Sequence, residues 1–272
     1  MNQDRIAKEK EFHDAWALTE DVDSIDVLAS NEACTAPEMR YIFKRLGDLN
    51  GKTLLDVGCG LGEASVYFAL RGADVTSTDL SEEMLSVTSK LAEANGVEVR
   101  THLASAEDMM FSEQTRFDVI YAGNLLHHVD IEVTLKKLKV HLAAGGKLVT
   151  WDPLAYNPVI NVYRRLASTV RTPDEHPLTL TDLKLFRKHF ESVETKYFWF
   201  FTLIIFLIMA IIQRRSPNKE RYWKAVVDEG KRWEWIYRPL EILDKVTLFL
   251  LPPLRLLCWN VVIIAQREKH DQ

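Results

Sequence analysis

Cysteine is scarce: Cys34, Cys59 and Cys258 are the three in 272 residues. They are odd in number and far apart, with no CxxC spacing, which excludes a zinc knuckle and a disulfide framework and suits a reducing cytoplasm. Positive charge is not in excess either. The 34 Lys and Arg against 39 Asp and Glu leave a net charge of −5 and a pI near 5.9, which argues against nucleic acid as the main partner. No apolar run reaches the ~20 residues of a spanning helix. The start, MNQDRIAKEKEF, is charged throughout and does not read as a secretory signal. What is present is a chain 47% hydrophobic and 27% charged, neither disordered nor polytopic, and long enough for one large domain or one domain with an insertion.

Strand and helix patterns alternate through its body. Thr53–Val57 is a short apolar run ending in Gly-Cys-Gly-Leu-Gly, the form of a buried parallel strand entering a tight turn. A helix is expected over 62–71 and a strand over Asp74–Asp79. Ser81, followed by Glu82 and Glu83, predicts a capped helix to about Asn95-Gly96. Strands follow at 97–104 and Phe117–Ala122, a helix at 130–142, a turn at Ala144-Gly145-Gly146 and a strand at Lys147–Trp151. Such alternation predicts βαβ units and a parallel sheet, with ligands at the C-terminal strand ends.

The glycine loop points to a particular ligand. Glycines after the first strand let the backbone approach a ligand closely, beside the free N–H groups of a helix start. A dinucleotide fingerprint needs GxGxxG, but Glu63 stands at the last place and Gly62 falls one early. Asp56 ends the strand, where it would face a cationic group rather than a pyrophosphate. Asp79 lies 21 residues after Gly58, placed to accept from ribose hydroxyls. The pattern favours an adenosine-bearing ligand with a positive amino acid end; the bland alternative is a plain βα turn.

These stretches resemble the class I S-adenosylmethionine-dependent methyltransferases. LLDVGCGLGEAS is similar to their first motif, and VTSTDLS to the second-strand motif ending in the ribose acid. LASAEDMMF is similar to the adenine-side motif, RFDVIYAGNLLHHV to the fourth strand, and LAAGGKLVTWDP to the turn and strand after it. The resemblance runs from Leu54 to Pro153 and implies an α/β, Rossmann-like, mostly parallel seven-stranded sheet with helices on both faces. It implies S-adenosyl-L-methionine as cofactor. Asp56, Gly58, Gly60 and Gly62 would surround its methionine part, Asp79 its ribose and Ala106 its adenine. Ser105 stands where the family often has Asp, so Ser105 or Glu107 takes the adenine amino contact; Cys59, Leu80, Ala122 and Gly123 complete the expected shell. The family's NPPY-type sequence is absent, AGNL standing there, which disfavours amide and exocyclic-amine methylation.

Methyl transfer needs a positioned nucleophile and, where a proton must leave, a base; it needs no metal. His127 and His128 follow the fourth strand and Asp152 ends the fifth, with Tyr156 and Asn157 beyond it. His176 lies in RTPDEHPLT, within an expected substrate lid over 153–190, and His13 in an N-terminal helix that in this family folds over the cofactor. The catalytic candidates are His176, Asp152, His128 and His13. Against that, His128 would merely shape the cofactor pocket, and Arg171, Asp174, Glu175 and His176 would merely lock a lid by ion pairs.

Phe198–Ile212 has fifteen residues with only Thr202 polar. SVETKYFW before it and CWNVVIIAQREK near the end read as the last two strands, so 201–257 is expected to be an apolar helical insertion between them, beside a cofactor-binding domain of 1–200 and 258–272. Both ends of an insertion return to one side of a membrane, which excludes a single pass and leaves an in-plane or re-entrant helix. The insertion holds ten Lys and Arg against six Asp and Glu, and five of the seven tryptophans lie in or beside it, suiting anionic headgroups. The expectation is a cytoplasmic, peripheral or monotopic enzyme on the inner face of a membrane. Its acceptor would be hydrophobic: a lipid, an isoprenoid quinone or a polyketide-like molecule. The competing readings are a soluble methyltransferase whose insertion is a homodimer interface or tunnel lid, and a non-catalytic cofactor-binding scaffold.

Overall fold

The computed structural model describes residues 3–109, 111–112, 114–167, 172 and 175–268. In chain order its elements are α1 (Gln3–Ala17), α2 (Val27–Glu32), α3 (Pro37–Leu46), β1 (Thr53–Val57), α4 (Glu63–Leu70), β2 (Asp74–Asp79), α5 (Glu82–Ala94), β3 (Val99–Leu103), β4 (Phe117–Gly123), α6 (Ile131–His141) and β5 (Leu142–Pro153). They continue with α7 (Pro158–Leu166), α8 (Leu180–His189), β6 (Ser192–Phe198), α9 (Ile204–Leu207), α10 (Tyr222–Asp228), α11 (Gly230–Leu250) and β7 (Asn260–Gln266).

The seven strands form one sheet in the order β3-β2-β1-β4-β5-β7-β6, with β7 antiparallel to both neighbours. Polar side chains start the helices: Ser81 accepts from the Met84 N–H, as the sequence suggests, Asp130 from Val133 and Asn157 from Ile160, while Thr179 and Asp182 make a reciprocal capping box. One boundary differs from expectation. β5 begins at Leu142, and Ala144-Gly145-Gly146 is a bulge inside it, where the pairing slips between Phe117↔Leu142 and Val119↔Lys147.

Alternation along the central strands gives the sheet two apolar faces. Leu55, Val57, Ile120, Leu148, Val261 and Ile263 pack against Leu135 and Leu138 of α6 and Phe186 of α8. Leu54, Val75, Tyr121, Val149, Val262 and Ile264 pack against Met39 and Ile42 of α3 and Phe68 of α4.

Between β6 and β7 the chain builds a helical unit with its own cluster. Leu203, Ile205, Phe206, Met209, Tyr222, Val226, Trp233 and Tyr237 pack together with Ile160 of α7 and Trp199. Asp244 of α11, itself buried, accepts from the N–H groups of Phe200, Phe201 and Thr202 and from the Thr202 hydroxyl, capping the apolar helix from across the unit. One side of that helix is thus covered by protein. Ile211 and Ile212 face solvent at 70% and 73% exposure, as do Ile242, Phe249 and Leu250 of α11. Among the described residues no helix is long and apolar enough to cross a membrane.

Candidate active site

A cavity of about 330 Å³ opens at the C-terminal ends of β1, β2, β4 and β5. The loop after β1 forms one wall. Gly60 has φ +54° and nothing within 4 Å of where a Cβ would stand, so its backbone borders open space. Gly62 is different: at φ +86° it is pressed against Thr88 of α5, 2.6 Å from where its Cβ would be. It lets the α4 start pack on α5 rather than letting a ligand approach, and it does not line the cavity. Ala122, expected in the cofactor shell, is likewise fully buried in the sheet core and away from the cavity.

The other expected cofactor residues are brought together. Asp56, Gly58, Cys59, Gly60, Asp79, Leu80, Ser105, Ala106, Glu107 and Gly123 all line the cavity. The Asp79 carboxylate accepts from the Gly60 N–H (3.0 Å) and the Ser81 N–H (2.9 Å); burial raises it above the ordinary range, opposed by the charge of His13 and these N–H groups. Asp56 is pushed up to about 7 by burial, against the hydroxyl of Ser65, which donates to it at 2.5 Å. Glu107 accepts from Arg5 and from the Asp130 N–H, and the Ser105 hydroxyl accepts from the Asp108 N–H, so both acids and hydroxyls on the adenine side have local partners.

α1 covers the opening. Arg5, Glu9, Phe12, His13 and Trp16 share one face at helical spacing and line the cavity. The helical unit clasps them: the Arg221 guanidinium lies 4.2 Å over the Trp16 ring and Lys224 pairs with Glu20 at 2.9 Å. Arg215 pairs with Glu220 and Glu229. Three of the insertion's cations therefore serve internal contacts, whereas Arg214 is exposed.

The catalytic candidates separate. His176 is exposed and does not line the cavity; its backbone N–H donates to the His127 carbonyl at 2.7 Å, which fixes the segment but leaves the ring in solvent. Arg171 and Asp174 lie outside the described residues. Asp152 is buried behind the wall and reaches the cavity only through His127, whose Nδ1 is 2.9 Å from Asp152 Oδ1. Burial pushes Asp152 up to about 8, with the Thr150 hydroxyl and the His127 N–H holding it back. His128 and His13 do line the cavity, both joined to Glu9, at 3.1 and 3.6 Å. The His128 hydrogen bond, after burial, is the main influence on Glu9, which is held far below the usual range.

Glu9, Glu38, Arg164 and Asn260 are cavity residues that the sequence did not single out for the site, and His127, noted beside His128 but not kept among the catalytic candidates, lines it too. His127, His128 and Glu175 each bring a ligand atom within 4.8 Å of the others, but Glu175 pairs with Arg164 at 3.0 Å, a cation in the place where a metal's charge would be opposed.

The chain is similar to known methyltransferases. Residues 55–150 match the family described as methyltransferase domain. A ubiquinone biosynthesis O-methyltransferase of Bordetella parapertussis is 32% identical over 118 residues, 43% of this chain and 49% of that protein. One of Xanthomonas euvesicatoria pv. vesicatoria is 31% identical over 160 residues, 54% and 64%. The chain thus spans about half the length of the first of these relatives. Among solved structures, phosphoethanolamine N-methyltransferase 2 of Haemonchus contortus with S-adenosyl-L-methionine superposes with TM-score 0.55 at 15% identity, over 85% of this chain and 52% of that one. Magnesium protoporphyrin IX methyltransferase of Synechocystis PCC 6803 with bound SAH gives 0.52 at 14% identity, over 84% and 80%. At these identities the likeness is one of fold.

The residues present fit that family's cofactor. Gly60 leaves room for a ligand against the backbone, Asp79 stands at the end of β2 for a ribose, and Glu9, Asp56 and Glu63 give the wall an acidic cast suited to a cationic ligand. Motif order, sheet topology and this cradle agree with one another and with the methyltransferase domain matched over residues 55–150, and the cradle suits S-adenosyl-L-methionine.

Proposed function

We propose that the protein transfers a methyl group to a hydroxyl oxygen of a hydrophobic, quinone-like acceptor, working at a membrane surface. The carrying observation is one continuous cavity. At one end are the glycine loop and Asp79, beside them the His127–Asp152 pair, and at the other end an aromatic wall of Tyr163, Trp199 and Trp259. The names of the curated relatives, ubiquinone biosynthesis O-methyltransferases, support the acceptor class.

Held by the glycine loop and Asp79, the cofactor would supply an electrophilic methyl group. His127 would take the acceptor's hydroxyl proton as that oxygen gains the methyl group, with a neutral thioether as the other product. Asp152 orients the imidazole and compensates its charge. α1, held by Trp16 and Arg221, excludes water and so strengthens these electrostatic contacts. His128 and His13, with Glu9 between them, position the helix over the site.

The membrane part of the reading is supported by the exposed apolar residues of the helical unit, Ile211, Ile212, Ile242, Phe249 and Leu250. With Arg215, Arg221 and Lys224 engaged inside the protein, apolar contact rather than charge carries the attachment. The test is incubation of the purified protein with methyl-labelled cofactor and prenylated phenols presented in vesicles. Label in the ether fraction supports the reading; cofactor binding without transfer to any phenol contradicts it.

A further inference from the structure

Among the described residues, the Lys and Arg side chains that line the cavity are Arg5, Arg164, Arg221 and Lys224. Arg5 is paired with Glu107, Arg164 with Glu175 at 3.0 Å and Lys224 with Glu20 at 2.9 Å. Arg221 differs from the other three. Its guanidinium lies 4.2 Å over the Trp16 ring and 5.8 Å from the Phe12 ring, with no carboxylate in ion-pair contact. Glu20, whose charge it feels, is already engaged by Lys224 and by the Trp16 Nε1–H at 2.6 Å. Burial lowers the Arg221 guanidinium below its ordinary range. A cation withdrawn from water without a counter-ion is costly, and the ring faces offset part of that cost. Arg164 Nη1 is sealed in protein without a hydrogen bond; the Arg221 nitrogens are not sealed, and they border the cavity. Two contacts place this cation at the glycine loop. Trp16 packs on the cluster that joins Ala17 to Leu61 of that loop. Lys224, three residues on from Arg221, stands 3.8 Å from the carboxylate of Glu63, the first residue of α4. Glu63 and Asp228 line the same end, and burial raises both above the ordinary carboxylate range, opposed by Lys224. That wall favours an ammonium and repels a carboxylate everywhere except at Arg221.

We propose that Arg221 of the insertion is the counter-ion for the carboxylate at the amino acid end of the cofactor, so that the helical unit is part of the cofactor site. With the ribose at Asp79 and the adenine side at Ser105–Glu107, the amino acid end extends toward the glycine loop. That end carries an ammonium and a carboxylate together. Glu63 and Asp228 suit the first, and Arg221 is the cavity cation still open to the second. Arg221 also stacks on Trp16 of α1, so one side chain touches the ligand and the helix that covers it. The inference goes beyond the function proposed above and needs no acceptor, so it stands or falls separately from methyl transfer.

The experiment is calorimetry on the full chain with S-adenosylhomocysteine and with its decarboxylated analogue, which keeps the ammonium and lacks the carboxylate. The unaltered protein should bind S-adenosylhomocysteine at least about tenfold more tightly than the analogue. Arg221→Met should weaken S-adenosylhomocysteine about tenfold or more and leave the analogue within about threefold, so that the preference vanishes. Arg221→Lys should recover part of it, because the charge returns without the planar fork. Lys224→Met, which removes a cation already paired with Glu20, should affect the two ligands alike. The comparison in the unaltered protein needs no variant: equal binding of the two ligands, or binding of neither, overturns the proposal. So does a folded Arg221→Met that keeps the preference or weakens both ligands equally, since Arg221 would then only clasp α1. Loss of the preference in Lys224→Met but not in Arg221→Met overturns it as well, by moving the carboxylate to Lys224.

Discussion

His127 Nδ1 stands 2.9 Å from Asp152 Oδ1, and of the two only His127 reaches the cavity wall. In the proposed mechanism the aspartate is thus a positioning residue and the histidine the group that meets substrate. Asp152→Asn should lower kcat about 10²-fold while leaving cofactor affinity within about threefold. Burial holds Asp152 up to about 8, so the carboxylate that would compensate a charged His127 forms only as pH rises. The kcat of the unaltered enzyme should therefore rise with pH toward about 8, and Asp152→Asn should abolish that limb. An unaltered profile in the variant would remove the pair from the mechanism.

Asp79 ends β2 with one carboxylate oxygen on the Gly60 N–H of the glycine loop and the other on the Ser81 N–H. Asp79→Ala should weaken binding of S-adenosyl-L-methionine by about 1.5–3 kcal/mol, the cost of losing charged hydrogen bonds, as read by calorimetry. Equal affinity in the variant would free Asp79 of the ribose role.

Glu38 and Asp56 are both held at about 7 by burial, from ordinary values of 4.5 and 3.8. Between those limits the folded chain keeps protons that the unfolded chain has released, so stability from these groups is present at low pH and lost as pH rises toward 7. The ligand-free protein should melt at a lower temperature at pH 7 than at pH 5, and the difference should shrink in Glu38→Gln. A difference of unchanged size would show that Glu38 does not titrate in this window.

The exposed apolar residues make the membrane reading testable without the basic ones. Burying a Phe or Ile side chain contributes about 1.5–3 kcal/mol, so Ile242→Asp with Phe249→Asp should release the protein from vesicles at least tenfold, whereas 0.5 M salt should release little. If the intact chain stays in the supernatant and runs as a tight dimer, the stripe is a subunit interface.

How much of this was legible in the sequence follows from what is local. β1, the cap at Ser81 and Asp79 at the end of β2 depend on neighbours in the chain, and they lie where the pattern puts them. Gly62 and His176 carried the right residue type, but Thr88 and the His127 carbonyl decide their roles, and both are distant contacts. His127 and His128 are adjacent and alike in sequence; only Asp152 and Glu9 tell them apart. Glu38 and Asn260 are 222 residues apart, with no local signal beyond an amide where β7 alternation calls for an apolar side chain. Arg221 and Lys224 read as part of a headgroup surface because Trp16 and Glu20, which engage them, are about 200 residues away in the chain.

The most direct measurement is methyl transfer itself. Purified protein, methyl-labelled S-adenosyl-L-methionine and a prenylated dihydroxybenzene in vesicles should give one labelled methyl ether and one S-adenosylhomocysteine per turnover, with the yield falling about 10²-fold in His127→Ala. Label on carbon or nitrogen, full activity in His127→Ala, or a cofactor-loaded protein that transfers nothing to any hydroxylated ring would contradict the account.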